Sequence, residues 1–389
     1  MSRLFFLFIA LLLTSCGAGE VHPFLKADKP VFERQVLFDG QRFPNITVTN
    51  KGTIIAVWGG ISEQYGTGSL QVRRSSDGGK TWSDAQIIKE PIQWNGGGVI
   101  ADRESGDILL FTETGPLTPE YPAGTLSVFR SDDDGISWEE QDEVTILPNS
   151  LGHVPSMHIS EHGITLQHGE YAGRLLRATR YYSMGNEQEF WPEHYTNAMY
   201  SDDGGYTWQA TEPFPAYGTG EAAVAELSDG TIYYNSRRHL STDGLNPRMR
   251  HIAYSRDGGR TWQDLSVSDD LPDGSQHRDY GLMAGLVRLP VSGHDILLFS
   301  NIESDEGREN GTVWASFDGG KTWPVKRVVD AGGFAYSSLA AGINGTPSEG
   351  YIYLLYEDGG HPHSTGKVVR FNMAWLTEGL LWEEFLNLP

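Results

Sequence analysis

Guanidinium, carboxyl and phenol groups stand here in segments that share no local motif, yet together they could do one kind of chemistry. Arg42 lies in Arg42-Phe43-Pro44, Arg237 closes the run "AVAELSDGTIYYNSR", and Arg308 opens "RENGTVWASFDGG". Guanidiniums hold a carboxylate through charge-assisted, partly bidentate hydrogen bonds. Glu221 follows Gly220, and Tyr336 sits in Ala335-Tyr336-Ser337-Ser338-Leu339. A phenol becomes a nucleophile when a carboxylate takes its proton. Taken singly, each Arg reads as a solvated or salt-bridged surface group, Tyr336 as a strand aromatic, and Glu221 as a charge at a strand start. Other chemistries find less support. No HExxH and no paired Cys/His spacing points to zinc. Asp132-Asp133-Asp134-Gly135 has some calcium-loop character, but Arg130 would occupy the first ligand position. Gly218-Thr219-Gly220-Glu221 is too poor in glycine for a dinucleotide loop. No metal and no cofactor is expected.

The elements that must position these residues are legible as a repeat. Ser75–Trp82 (SSDGGKTW), Ser131–Trp138 (SDDDGISW), Ser201–Trp208 (SDDGGYTW), Ser255–Trp262 (SRDGGRTW) and Ser316–Trp323 (SFDGGKTW) share the pattern S-x-D-x-G-x-[ST]-W. Their first residues lie 56, 70, 54 and 61 positions apart. Asp and Gly make a tight turn with side-chain-to-backbone bonds, and the Trp is expected to pack on the hairpin that it closes. Each box follows a β-branched or aromatic run, such as Leu70–Arg73 or His251–Tyr254, and further strand-like runs such as Gly52–Trp58 and Gly230–Asn235 lie between boxes. Three to four short strands per period describe a propeller blade. Five boxed units and the unboxed stretch Tyr336–Phe371 give an all-β fold of six blades, with Val31–Leu37 expected to close the ring on the last one. Composition agrees. Among 389 residues there are 47 Gly and 11 Trp, as in a turn-rich β protein. With 29 Lys and Arg against 51 Asp and Glu, the formal charge is −22, which rules against general nucleic-acid binding. An anionic ligand must then be held by a local cation cluster.

The boxes are similar to the Asp-boxes of the sialidase family, and the resemblance continues outside them over about residues 35 to 380. Arg42-Phe43-Pro44 resembles that family's Arg-Ile-Pro motif. The run from Glu221 to Arg237 resembles its segment from a catalytic Glu to a second Arg, and Arg308 and Tyr336 stand in matching contexts. "LYEDGG" and "KVVRFNMAWL" resemble its closing blade. The resemblance implies a six-bladed β-propeller of the sialidase type and a retaining exo-glycosidase acting on sialylated or other acidic glycans. It implies that Arg42, Arg237 and Arg308 clamp the substrate carboxylate, Tyr336 attacks, and Glu221 accepts its proton. A sialic acid bears its carboxylate on the anomeric carbon, so a neutral phenol avoids the repulsion that a carboxylate nucleophile would meet.

One segment departs from the pattern. The family carries an Arg and then an acid/base Asp in the loop after the second strand of its first blade; here the loop Trp58–Ser69 has neither. Glu63 is its only ionisable acid and becomes the candidate proton donor. His162, in "EHGITL", is the next, although a turn or packing role explains it better. Two alternatives follow: a hydrolase or lyase of uronic-acid polysaccharides, since an Arg clamp serves any carboxylated sugar, and a non-catalytic carbohydrate-binding propeller.

At the start, Arg3 precedes an apolar run from Leu4 to Leu13, too short to span a bilayer but suited to a secretory signal. Leu13-Thr14-Ser15-Cys16-Gly17 resembles the lipobox of bacterial lipoproteins, which implies cleavage before a lipidated Cys16. Cys16 is the sole cysteine, so no disulfide competes for it. The expected organisation is a signal peptide over 1–15, a lipid-attached linker over 16–34 and the propeller over 35–389. The protein would then be anchored in a bacterial envelope, with Gly17 favouring the outer membrane.

Overall fold

The computed structural model describes residues 22–26, 29–60, 68–92, 96–114, 125–156, 160–274, 281–360, 363–380 and 384–385. Among the described residues six sheets are found, antiparallel apart from one outer strand of the third. Blade 1 is built from Pro44–Val48, Ile54–Trp58, Gly68–Ser75 and Gln86–Ile92; blade 2 from Gly96–Ala101, Ile108–Thr114, Thr125–Ser131 and Glu139–Glu140. Blade 3 holds Ile164–Thr165, Leu175–Tyr181, Tyr195–Ser201 and Thr207–Ala210, with Thr145–Leu147 added in parallel at its outer edge. Blade 4 holds Thr219–Glu226, Ile232–Arg238, Met249–Ser255 and Gln263–Pro272, and blade 5 Gly285–Arg288, Leu297–Ile302, Glu309–Ser316 and Val325–Gly333. Blade 6 takes Ser337–Ala341, Ile352–Glu357 and Ser364–Phe371 from the end of the chain and Phe32–Gln41 from its beginning. The early strand thus closes the ring as expected, with Phe32 opposite Phe371.

Stacking buries both faces of a blade's second strand, which is why these strands read as unbroken apolar runs. Along Ile54–Trp58, Ile54, Ala56 and Trp58 join the core shared with blade 6, whereas Ile55 and Val57 join the core shared with blade 2. The strand's alternation divides one run between two cores. Before the closing strand, Phe24 and Leu25 pack into the largest cluster, beside Leu289 and Val291.

The boxes fold alike. In the first, Ser75 Oγ accepts from Gly79 N at 3.0 Å, and Asp77 Oδ1 accepts from Lys80 N and Thr81 N, both at 3.0 Å. Burial would raise the Asp77 carboxyl, but the hydrogen bonds from the Thr81 hydroxyl, the Thr81 backbone, Ser75 and Lys80 outweigh it and hold it low, at about 2. The box tryptophans reach further than their own hairpins. Trp208 lies edge-on to Phe111 of blade 2 at 5.6 Å, and Trp262 Nε1 donates to Thr211 Oγ1 beside blade 3 at 3.2 Å. Both rings therefore tie their blade to the preceding one, because the apolar neighbour of the box turn is the adjoining sheet.

Strand direction defines two mouths. The inner strands begin at Pro44, Thr219, Gly285 and Ser337 on one face and end at Val48, Glu226, Arg288 and Ala341 on the other. The second strands return to the first face and end there at Arg238 and Glu357.

Candidate active site

Every residue of the described site lies where an inner strand starts, a second strand ends or a third strand starts. Arg42 stands two positions before the inner strand of blade 1. Glu221 lies in the first turn of pleat of the inner strand of blade 4, and Arg237 is the penultimate residue of the strand beside it. Arg308 immediately precedes the third strand of blade 5, and Tyr336 immediately precedes the inner strand of blade 6. Residues up to 294 positions apart in the chain are thus delivered to one mouth.

The phenol lies at the centre. Tyr336 Oη donates to Glu221 Oε1 at 3.0 Å and accepts from Arg237 Nη1 at 2.9 Å. Arg237 Nη1 also donates to Glu221 Oε2 at 2.6 Å. The guanidinium carbons of Arg42 and Arg308 lie 5.0 and 5.5 Å from the Tyr336 ring centroid. Burial raises the Tyr336 pKa, Glu221 adds to the rise, and Arg237, Arg308 and Arg42 oppose it. The phenol is therefore neutral at ordinary pH, with a carboxylate already on its hydroxyl. Burial works against the Arg237 charge, but Glu221, then Tyr336 and Asp273, outweigh it and raise its pKa.

Arg42 is held by a carboxylate that sequence reading passed over. Glu357, fully buried at the end of its strand, accepts from Arg42 Nη2 at 2.9 Å and Nε at 3.2 Å, and from the Phe43 backbone at 2.9 Å. That last bond fixes Phe43 in a left-handed conformation, φ 70°. Arg308 differs: its Nη1 is buried with no hydrogen-bond partner among the described residues. A buried guanidinium nitrogen left in this way calls for an incoming acceptor. Among the described residues of the mouth, three guanidiniums face the two carboxylates of Glu221 and Glu357, with Asp273 behind Arg237 and paired with Arg250, so this part of a strongly acidic chain is locally cationic. It can hold an anion, and it can move the Tyr336 proton to Glu221.

A sequence profile of the BNR repeat-like domain matches residues 52–353. The sialidase of Micromonospora viridifaciens is 32% identical over 367 residues, spanning 87% of this chain and 52% of that protein. The sialidase of Bacteroides fragilis is 26% identical over 339 residues, spanning 77% of this chain and 57% of that protein. The Hadza microbial sialidase Hz136 superposes with a TM-score of 0.61 at 25% identity, over 84% of this chain and 65% of its own. The chain belongs to the sialidase family of BNR-repeat proteins. It spans about half the length of the curated relatives it matches.

Against that family's pattern, the structure brings together Arg42, Arg237, Arg308, Glu221 and Tyr336, as expected from sequence. Glu63 and Cys16 lie outside the described residues. His162 is not at this mouth. It lines a cavity of about 970 Å³ at the opposite one, with Thr47, Glu226, Arg288 and Ala341, and its Nδ1 lies 3.2 Å from Glu161. The reason is chain direction: His162 enters blade 3 near the far ends of the neighbouring inner strands, where Gly163 N donates to Val99 O. The signal for Glu357 was present in "LYEDGG", but an acid at a strand end says nothing alone about a partner 315 residues away.

Proposed function

We propose that this protein is a retaining exo-sialidase that releases terminal sialic acid, or a closely related acidic sugar, from glycoconjugates. The observation that carries the reading is the Tyr336 hydroxyl held between Glu221 and Arg237 beneath two further guanidiniums. Arg42, Arg237 and Arg308 take the carboxylate on the anomeric carbon. Tyr336 Oη attacks that carbon as its proton passes to Glu221 Oε1, and the glycosidic oxygen leaves with a proton from Glu63. Water, giving a proton to Glu63, then attacks the anomeric carbon, and the bond to Tyr336 Oη breaks as Glu221 returns its proton to the phenol. Two displacements at one carbon retain configuration. With Cys16 lipidated, the enzyme works at a bacterial envelope, in the outer membrane.

A panel of sialosides and uronides tests the reading. Free sialic acid released first as the α-anomer, seen by proton NMR, supports it. An unsaturated product from uronides would identify a lyase. The absence of Arg and Asp from the Trp58–Ser69 loop favours one rival, a binding propeller, and saturable binding of sialic acid without turnover would establish that instead.

A further inference from the structure

We propose that His239 is a positioning residue that sets the basicity of Glu221 through its own protonation. The inference rests on the reading of Tyr336 and Glu221 as nucleophile and base. His239 follows Arg237 and Arg238 at the active mouth, and its Nε2 lies 4.0 Å from Glu221 Oε2, both side chains being buried. This is too long for a hydrogen bond and short enough for a strong electrostatic effect out of water. The ring is fixed from two sides. It lies on Gly220, where a Cβ would come within 2.2 Å of His239 Cε1, so only glycine lets the ring approach the neighbouring glutamate. Trp191, from the loop between the second and third strands of blade 3, covers it with ring centroids 5.1 Å apart.

The other charged groups here have separate tasks. Glu221 faces Arg237 and Tyr336 by hydrogen bonds, with Arg42 across the mouth and Tyr182 from blade 3 in its field. Asp273 lies behind Arg237 and is paired with Arg250. Arg238 turns to Asp243 and His251, and His194 is engaged by Arg180. Arg237 stays charged at every working pH, whereas an imidazole can gain or lose a proton within the range in which an enzyme works. Neutral, it leaves Glu221 basic enough to take the Tyr336 proton. Protonated, it becomes a second cation on Glu221 Oε2 and weakens the base.

The experiment is the pH profile of kcat/KM on an aryl sialoside, whose leaving group needs no proton, for the parent, His239→Gln and Glu221→Gln. Removing the ring's titration should move the acid limb of His239→Gln at least about one pH unit lower, with activity below that limb raised about tenfold over the parent. A uniform loss at all pH values with the limb unmoved would make His239 a packing residue and overturn the inference. Should Glu221→Gln keep parental activity, the failure lies with the assignment of the base. A second measurement covers a variant that folds poorly: the ¹³C resonance of the His239 ring in labelled parent protein should titrate at the midpoint of the kinetic limb. A ring that does not titrate across that limb overturns the proposal.

Discussion

At the scale of residues, the mouth is a set of charges that depend on one another. Arg308→Ala or Arg237→Ala should weaken sialoside processing about 30-fold to several thousand-fold, because a desolvated carboxylate loses its partner. Unchanged kinetics in both would place the binding site elsewhere. Tyr336→Phe removes the attacking oxygen and should abolish turnover of natural and aryl substrates alike. Glu63→Gln should separate them, slowing natural sialosides about 10²–10⁴-fold while largely sparing aryl sialosides. Equal loss on both substrates would remove Glu63 from the role of acid. The five residues that meet here were legible because each stands in its own recognisable segment. Glu357 and His239 were not: one reads as an ordinary strand-end acid, the other as the tail of Arg237-Arg238. Their partners, Arg42 and Glu221, are reached only through folding.

The blades owe their clarity in the sequence to local turn chemistry. Ser, Asp and Gly of each box satisfy one another within five residues, so five blade edges could be placed before any tertiary contact was known. The tertiary use of the box Trp could not, since it depends on the neighbouring sheet. Trp208→Ala should therefore cost about 3–5 kcal/mol, measured by denaturant unfolding, by opening the seam between blades 2 and 3. Near the active mouth lie two buried neutral histidines, His194 just before the strand Tyr195–Ser201 and His251 within Met249–Ser255. His194 Nδ1 accepts from Arg180 Nη2 at 2.7 Å, and His251 Nε2 accepts from Arg238 Nη1 at 2.9 Å. Burial, and then the adjacent guanidinium, lower their pKa values to about 3 and about 4. The unfolded chain takes up these protons near pH 6.5 and the folded chain does not. Stability is thus full above that pH and falls as pH drops toward about 4, by on the order of 3 kcal/mol for His251 alone. Thermal unfolding from pH 7 to 4.5 should show a falling Tm, blunted in His251→Gln. A flat Tm would mean that the ring is protonated in the folded state.

For the molecule as a whole, two mouths separate the chemistry from a second polar cavity, and the proposed attachment to a membrane is an independent matter of residues before His22. Cys16→Ser should shift the protein from the membrane fraction to the soluble one, since acyl chains contribute about 0.8 kcal/mol per buried CH₂. Unchanged partitioning would end the lipoprotein reading. Ring closure has a further consequence, in time. Phe32 pairs with Phe371, and Arg370 reaches both Glu33 and the first box turn at Gly78. At about 5–20 residues per second, the ribosome takes tens of seconds to make the second half of that seam after the first. Throughout that interval the closing strand has no sheet to join, and the face of blade 1 that carries Ile54, Ala56 and Trp58 has no sixth blade to pack on. Arg42, delivered by the first part of the chain, likewise waits for Glu357, made near the end. The last blade to be synthesised is the one that both locks the ring and completes the mouth, so no nascent fragment short of it holds an assembled site.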